Sequence, residues 1–297
     1  MDPREEIRDF LATRRAKITP ERAKLPAYGG NRRVPGLRRE EVAMLAGVSV
    51  VYYTKLERGN FGSVSEGVLD ALSRALQLDE AEREHLFHLA NDTASVKPGH
   101  RRVAPQIVRQ SVQRVLDGLS DAPGFVRNNR RDLLASNALG RALYSVMYTN
   151  TDAARPVNTA RFVFFDERSR EFFPDWAKTS ADLVANLRTE VGRAPHDRDL
   201  QHLIDDLVAG SDEFRRLWAA HDVRYHDSGF KHVFHPVVGA LTLTFEAMEL
   251  PADPGQALIV YGTEPGSPSE DALRLLASWA ASNEPGAQPT VHTTRTA

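Results

Sequence analysis

Apolar residues recur over the first ninety positions at intervals of three and four, the spacing that lines one face of an α-helix. Ile7, Phe10 and Leu11 predict an amphipathic helix that runs through Arg14 and Arg15 and stops at Thr19-Pro20. A Gly/Pro-rich loop follows, with Pro26, Gly29, Gly30, Pro35 and Gly36. The next helix is Leu37 to Ala46, with apolar positions 37, 42, 45 and 46 on one face. Gly47 breaks it, Ser49 is placed to cap a new helix, and that helix ends at Gly59. Two further helices are expected, Glu66 to Leu78 and, after the capping residue Asp79, Glu80 to Asn91.

The pattern changes after a polar stretch, Thr93 to Pro105, that holds Pro98, Gly99 and the basic trio His100-Arg101-Arg102 and reads as a linker. A helix is expected over Gln106–Gly118, then a hairpin in which Phe125-Val126-Arg127 and Asp132–Ala135 flank Asn128–Arg131. Helices are expected over 137–147, 174–192, 197–209 and 211–220. Strand-like runs follow at Val223–Asp227 into Phe230–Phe234, at Leu241–Leu250 and at Ala257–Gly262, before a last helix over Ser269–Ala281. Leu241-Thr242-Leu243-Thr244-Phe245 alternates apolar with polar, so one face of that strand should be buried. The expected fold is therefore two domains, an all-α five-helix domain and an α+β domain with an antiparallel sheet. Their bounds are 1–92, a linker 93–104, 105–281, and a disordered tail 282–297.

Composition narrows the function. The length of 297 residues suits two domains, and 41% hydrophobic with 26% charged residues is the balance of a soluble globular protein. No start resembling a secretory signal and no apolar run of roughly 20 residues is present, which predicts a cytoplasmic protein with no membrane partner. The absence of cysteine excludes disulfides, thiolate metal sites and cysteine nucleophiles. Net charge is −2, but residues 1–60 carry 13 Lys/Arg against 8 Asp/Glu. From Arg14 to Arg39 the excess is sharper: Arg14, Arg15, Lys17, Arg22, Lys24, Arg32, Arg33, Arg38 and Arg39 face only Glu21. Charge alone leaves two readings level, a phosphate-binding patch or a solvated arginine-rich face.

The segment Val42–Gly59 separates them. A helix-turn-helix needs a small residue where its helices cross (Ala43), a residue tolerant of positive φ in the turn (Gly47), and apolar anchors for the second helix (Val48, Tyr53 and Leu56). With Tyr53 and Leu56 inward, Val50, Val51, Thr54 and Lys55 point outward. Such a helix lies in the major groove, where Lys55 can donate to guanine while Val51 and the Thr54 methyl pack on thymine methyls. Arg39, Ser49, Tyr52 and Arg58 are placed for phosphates, and Arg38 joins the DNA-binding candidates. For Val50 and Val51 a protein contact or simple exposure is the alternative. Glu57 reads as structural, in an intradomain salt bridge or a helix-end bond.

Leu37-Arg38-Arg39-Glu40-Glu41-Val42-Ala43, Gly47-Val48-Ser49 and Tyr52–Gly59 resemble the Cro/C1 (xenobiotic-response-element) class of helix-turn-helix regulators, and more narrowly its MmyB-like subgroup. The resemblance continues in Leu69-Asp70-Ala71-Leu72 and Glu82–Phe87. It resumes in Phe173-Pro174-Asp175-Trp176, Phe214–Val223, His235–Gly239 and Pro265–Ser269. It covers about residues 5–281. It implies a PAS-like ligand-binding domain, a fatty acid as one type of ligand, and a dimer on a palindromic operator.

The second domain is rich in aromatic residues, each of which can fill a core or line an apolar pocket. The ligand-binding candidates, which rest mainly on the resemblance, are Phe162, Phe165, Trp176, Leu183, Phe214, Trp218, His221 and His235. His221 and His235 could each bond a ligand carboxylate, although Pro236 favours a structural role for His235. No metal is expected. His85 and His88 share a helix face with only Glu84 near, and His196, His202, His221, His226, His232 and His235 have no ligand spacing. No nucleophile elbow, phosphate loop or dinucleotide fingerprint occurs, so no catalytic residue or cofactor is expected. The expected partners are double-stranded DNA, an apolar effector and a second copy of the chain. The alternatives are a second domain that only dimerises and, less favoured, an enzyme that regulates its own gene.

Overall fold

The computed structural model describes residues 3–25, 34–62, 64–94, 107–149, 156–194, 197–222 and 228–283. Several expectations lie outside these residues: the glycines at 29–30 with Arg32 and Arg33, the linker from residue 95, His196, the run Val223–Asp227 with His226, and the tail from 284.

The helical first part comprises α1 (Pro3–Lys17), α2 (Arg39–Leu45), α3 (Val50–Glu57), α4 (Glu66–Ala75) and α5 (Glu80–Ala94). The second part opens with α6 (Gln110–Asp117), β1 (Gly124–Asn128) and β2 (Asp132–Ser136). There follow α7 (Ala138–Leu143), α8 (Ser145–Tyr148), β3 (Val157–Asn158), α9 (Thr159–Phe165), α10 (Ser169–Phe172), α11 (Trp176–Arg193), α12 (Arg198–Gly210) and α13 (Asp212–Trp218). It closes with β4 (Ser228–His235), β5 (Gly239–Glu249), β6 (Gln256–Gly262) and α14 (Pro268–Asn283).

These elements gather into two compact units that do not follow the contiguous partition. One holds Met1–Ala104 together with Ser180–Tyr225, the other Pro105–Thr179 together with His226–Ala297. Most of α11, with α12 and α13, therefore packs with the N-terminal helices. Helical periodicity reveals that these segments have a buried stripe; it carries no information about which core receives it.

In the sheet-bearing unit the strands run β3-β2-β1-β6-β5-β4, and the paired neighbours are antiparallel. The alternation expected of 241–245 is present: Leu241, Leu243 and Phe245 are buried while Thr242 is exposed. The opposite face of the sheet is covered around β1 and β6 by α6, through Val112 and Leu116 against Val126 and Leu258. Three local departures have local causes. The helix expected over 137–147 is two, α7 and α8, because Tyr144 leaves helical geometry at φ −102, ψ 23. Asn137 caps α7 by accepting the Gly140 N–H at 2.7 Å. The pair β3 and α9, absent from the sequence reading, forms where Leu133 and Val157 align on neighbouring strands and Asn158 accepts the Arg161 N–H at 2.9 Å.

Candidate nucleic-acid interface

The first unit is built around Ile7, Phe10 and Leu11 of α1, which are buried with Val42, Ala43, Tyr53, Leu56, Leu72 and Leu86. Between α2 and α3 the chain turns at Gly47, whose φ of +67° is the left-handed conformation only glycine adopts without cost. The Val48 N–H reaches back to Ala43 O at 2.9 Å, so the turn closes on the residue where the two helices cross. Ser49 Oγ accepts the Tyr52 N–H at 3.1 Å and caps α3 as expected.

This geometry fixes the faces of α3. Tyr53 and Leu56 point into the core, while Val51 is 70% exposed and Val50 45%. Lys55 and Arg58 are exposed with them, as are Arg38, Arg39 and Ser49. Thr54 is half-buried, and its hydroxyl donates to Val50 O at 2.7 Å. Tyr52 is half-buried and leans on the core, so less of its ring is free than an outward position implies. Met44 on α2 is also an exposed apolar residue, at 60%.

Glu57 is the electrostatic pivot of the motif. Its buried carboxylate receives Arg15 Nε of α1 at 2.6 Å and Arg39 Nε of α2. Arg15 also donates to Leu37 O at 2.9 Å. Three helices are thereby tied at one point, which sets how α3 stands against α2. The hydrogen bond to Glu57 raises the Arg39 guanidinium above its ordinary value. Arg39 thus has a structural partner that the sequence did not disclose, though half of its side chain remains open to solvent.

The segment from 180 to 222 completes this unit through a buried polar network. Arg188 is fully buried; it pairs with Glu6 of α1, donates to Trp218 O and lies 3.9 Å over the Trp218 ring. His221, at φ +51°, places Nδ1 3.0 Å from Arg188 Nη1 and 3.5 Å from Glu6 Oε1. Burial alone would push the Glu6 carboxyl up, but the contacts from His221 and His85 and the charge of Arg188 outweigh it and hold it far below the usual carboxylate range. His85, packed edge-on against Phe10 at 5.0 Å, is pushed down by burial despite the nearby carboxylate.

The eight candidate ligand residues divide between the two units. Leu183, Phe214, Trp218 and His221 stand in the first. There Phe214 stacks on Trp218 at 5.5 Å, and Trp218 and His221 are contacts of Arg188. Phe162, Phe165, Trp176 and His235 stand in the second. Phe162 is buried among Phe172 and Phe173, and Phe165 is 44% exposed. Trp176 Nε1 donates to Val163 O and Ser169 Oγ, each at 3.2 Å, under the Arg170 guanidinium. His235 uses both ring nitrogens on backbone. Nδ1 accepts the Val237 N–H at 3.2 Å, which leaves the proton on Nε2 to donate to Ala142 O at 3.0 Å. A pair missed in the sequence lies in the same core: the buried Tyr144 and Tyr261 hydroxyls meet at 2.6 Å, beside Phe125 stacked on Tyr144 at 4.6 Å. Tyrosines 117 positions apart leave no short-range signal.

Residues 108–276 match the family model described as the MmyB-like transcription regulator ligand binding domain. The chain belongs to the MmyB-like transcription regulators. Residues 6–86 match a helix-turn-helix domain, and no curated protein matches the chain. This MmyB-like regulator thus joins a DNA-binding helix-turn-helix to a ligand-binding domain with an antiparallel sheet. None of its described helices is long and apolar enough to cross a membrane, and no described group of three or more His, Asp or Glu residues could hold a metal ion.

Proposed function

We propose that this MmyB-like regulator acts in the cytoplasm as a homodimer on a palindromic operator, with its affinity set by an apolar small molecule such as a fatty acid. One observation carries the DNA half of the reading: Val50, Val51 and Lys55 form an open flank on a helix whose other face is locked into a core. Two such flanks related by a two-fold axis suit half-sites about one helical turn apart. Lys55 meets a base edge, Val51 and the Thr54 methyl meet thymine methyls, and Arg38, Arg39, Ser49, Tyr52 and Arg58 steady the backbone.

In this reading residues 1–92 are the five-helix reading head, 93–104 a linker and 105–281 a PAS-like effector domain that also dimerises and that lends its stretch Ser180–Tyr225 to the compact unit of the head. Helix α11 supports coupling, because its first residues belong to the sheet-bearing unit and the rest to the DNA-binding unit. A ligand that prefers one placement of α11 shifts the population of heads able to bind. A second domain that only dimerises is the other reading, favoured by Phe230 and Phe234, 59% and 53% exposed on the edge strand β4.

Sequencing the DNA retained by the purified full chain tests the first half. A recovered inverted repeat supports it, and sequence-independent recovery defeats it. Mass spectrometry of small molecules released from the denatured protein tests the second half, with an apolar acid expected and an empty extract favouring the dimerisation-only reading.

A further inference from the structure

Buried polar atoms without a partner are uncommon in native proteins, and each one asks for a cause. In the sheet-bearing unit the described residues contain three such side-chain atoms, Asn129 Oδ1, Arg131 Nε and Gln256 Oε1. All three fall at one end of the sheet. Asn129 and Arg131 stand in the turn between β1 and β2, and Gln256 opens β6 opposite Asn128. The Asn129 N–H donates to Gly255 O at 3.0 Å and holds the turn against the start of β6.

Arg131 is the member that carries charge. It is 4% exposed, and among the described residues no carboxylate pairs with it. The adjacent acid is already engaged. Asp132 Oδ1 accepts Asn158 Nδ2 at 2.7 Å, and Oδ2 accepts Asn128 Nδ2 at 2.8 Å and Arg130 Nε at 3.3 Å. The Arg131 backbone is fixed as well. At φ +70° its N–H donates to Asn128 O and its carbonyl accepts the Thr159 N–H, each at 3.1 Å. A guanidinium cannot shed its proton in a protein, and a buried charge with no counter-charge is costly. A tight turn accounts for the backbone conformation but not for burying a cation in it. At the same end of the sheet the buried amide oxygens of Asn129 and Gln256 are also unpartnered, and neither accepts from Arg131.

We propose that this end of the sheet binds the anionic group of a small ligand that also carries a hydroxyl or amine donor. Arg131 takes the anion, and the amide oxygens of Asn129 and Gln256 take the donor. The proposal rests on the reading that the domain binds a small molecule and adds to it a charged, hydroxylated or aminated end.

Thermal unfolding of the full chain tests it, with 3-hydroxydecanoate, decanoate and decanol as probes. The wild type is expected to gain most from 3-hydroxydecanoate, less from decanoate and least from decanol. Arg131→Met is expected to level that order. Without any ligand it should also raise the melting temperature by about 3 °C, because it removes the unpaired charge. A lower melting temperature for ligand-free R131M would mean that the arginine is structural, and overturns the proposal. Equal stabilisation of both proteins by all three compounds keeps the apolar-ligand reading and overturns the anion site. If none of the three acts, inorganic phosphate decides. Stabilisation of the wild type but not of R131M keeps the anion site and removes the apolar ligand; no effect on either removes both.

Discussion

Arg188 of α11 is paired with Glu6 of α1 at a point where both side chains are buried. The two residues are 182 positions apart, yet their contact makes the segment after Ser180 part of the DNA-binding unit. Removing one partner of a buried pair leaves the other charge uncompensated, at a cost of about 3–5 kcal/mol. Arg188→Ala is therefore expected to lower the denaturation midpoint of the first unit sharply, the more so because the Trp218 ring loses its cation. Arg188→Met combined with Glu6→Leu should recover much of the loss, since apolar replacement of both partners leaves no orphan charge. A double variant no better than the single one would show that the network, rather than the charge pair, holds the segment. By the same logic a fragment ending at residue 94 should unfold well below the full chain, measured by urea titration.

The helix-turn-helix was legible because its constraints are local. Gly47, the Ser49 cap and the buried Tyr53 and Leu56 all lie within one short stretch, and each expectation is met in the structure. The alternating strand β5 was legible for the same reason. What could not be read was long-range. In α11 the arginine stands on the apolar stripe, four residues after Val184 and three before Val191, a position where periodicity calls for an apolar side chain; only the fold supplies the Glu6 that pairs with it there. Arg39 stands among the helix-turn-helix residues placed for phosphate, and its tie to Glu57 depends on the crossing of α2 and α3. The two-residue strand β3 is too short to show a period.

Burial of two histidines sets the onset of acid instability. His85 and His235 are both pushed down from their ordinary value of 6.5, chiefly by burial. The unfolded chain binds protons at these sites more readily than the folded one. Their contribution is therefore intact above pH 6.5 and is lost as pH falls below it. Glu6, held below its ordinary 4.5, adds a second loss only as pH falls under that value. Melting temperature is expected to begin falling near pH 6.5, and His85→Leu should flatten the decline between pH 6.5 and 5. An unchanged slope in that variant would remove His85 from the account.

Two glycines of the motif separate strain from crowding. Gly47 has φ +67° with open space where a Cβ would stand, so Gly47→Ala should cost about 1 kcal/mol from backbone conformation alone. Gly59 has φ +83°, and its Cβ would lie 2.5 Å from the backbone oxygen of Arg4. Gly59→Ala adds a collision with the start of α1 and should cost about 2 kcal/mol or more. Urea midpoints of the two variants compare them directly; equal losses would mean that α1 yields at no cost.

The DNA-binding residues should divide by what they touch. Lys55 has no fixed partner role in the core and faces out beside Val51, so Lys55→Ala is expected to relax specificity at one base pair, worth about 1–3 kcal/mol of discrimination. Arg38 is exposed at the start of α2, and Arg38→Ala should weaken binding to all sequences alike, reducing the salt slope by about 0.9. Arg39 should behave differently from both. Its loss also strips the buried Glu57 of one of two guanidinium partners, so Arg39→Ala should lower both the salt slope and the melting temperature. Gel shifts across a salt series on matched and single-substituted operators, read beside thermal unfolding, separate the three. Lys55→Ala and Arg38→Ala proteins that bind as the wild type does would mean that α3 does not lie in the groove. A thermally unchanged Arg39→Ala would mean that Arg15 alone suffices for Glu57, leaving Arg39 wholly free for phosphate.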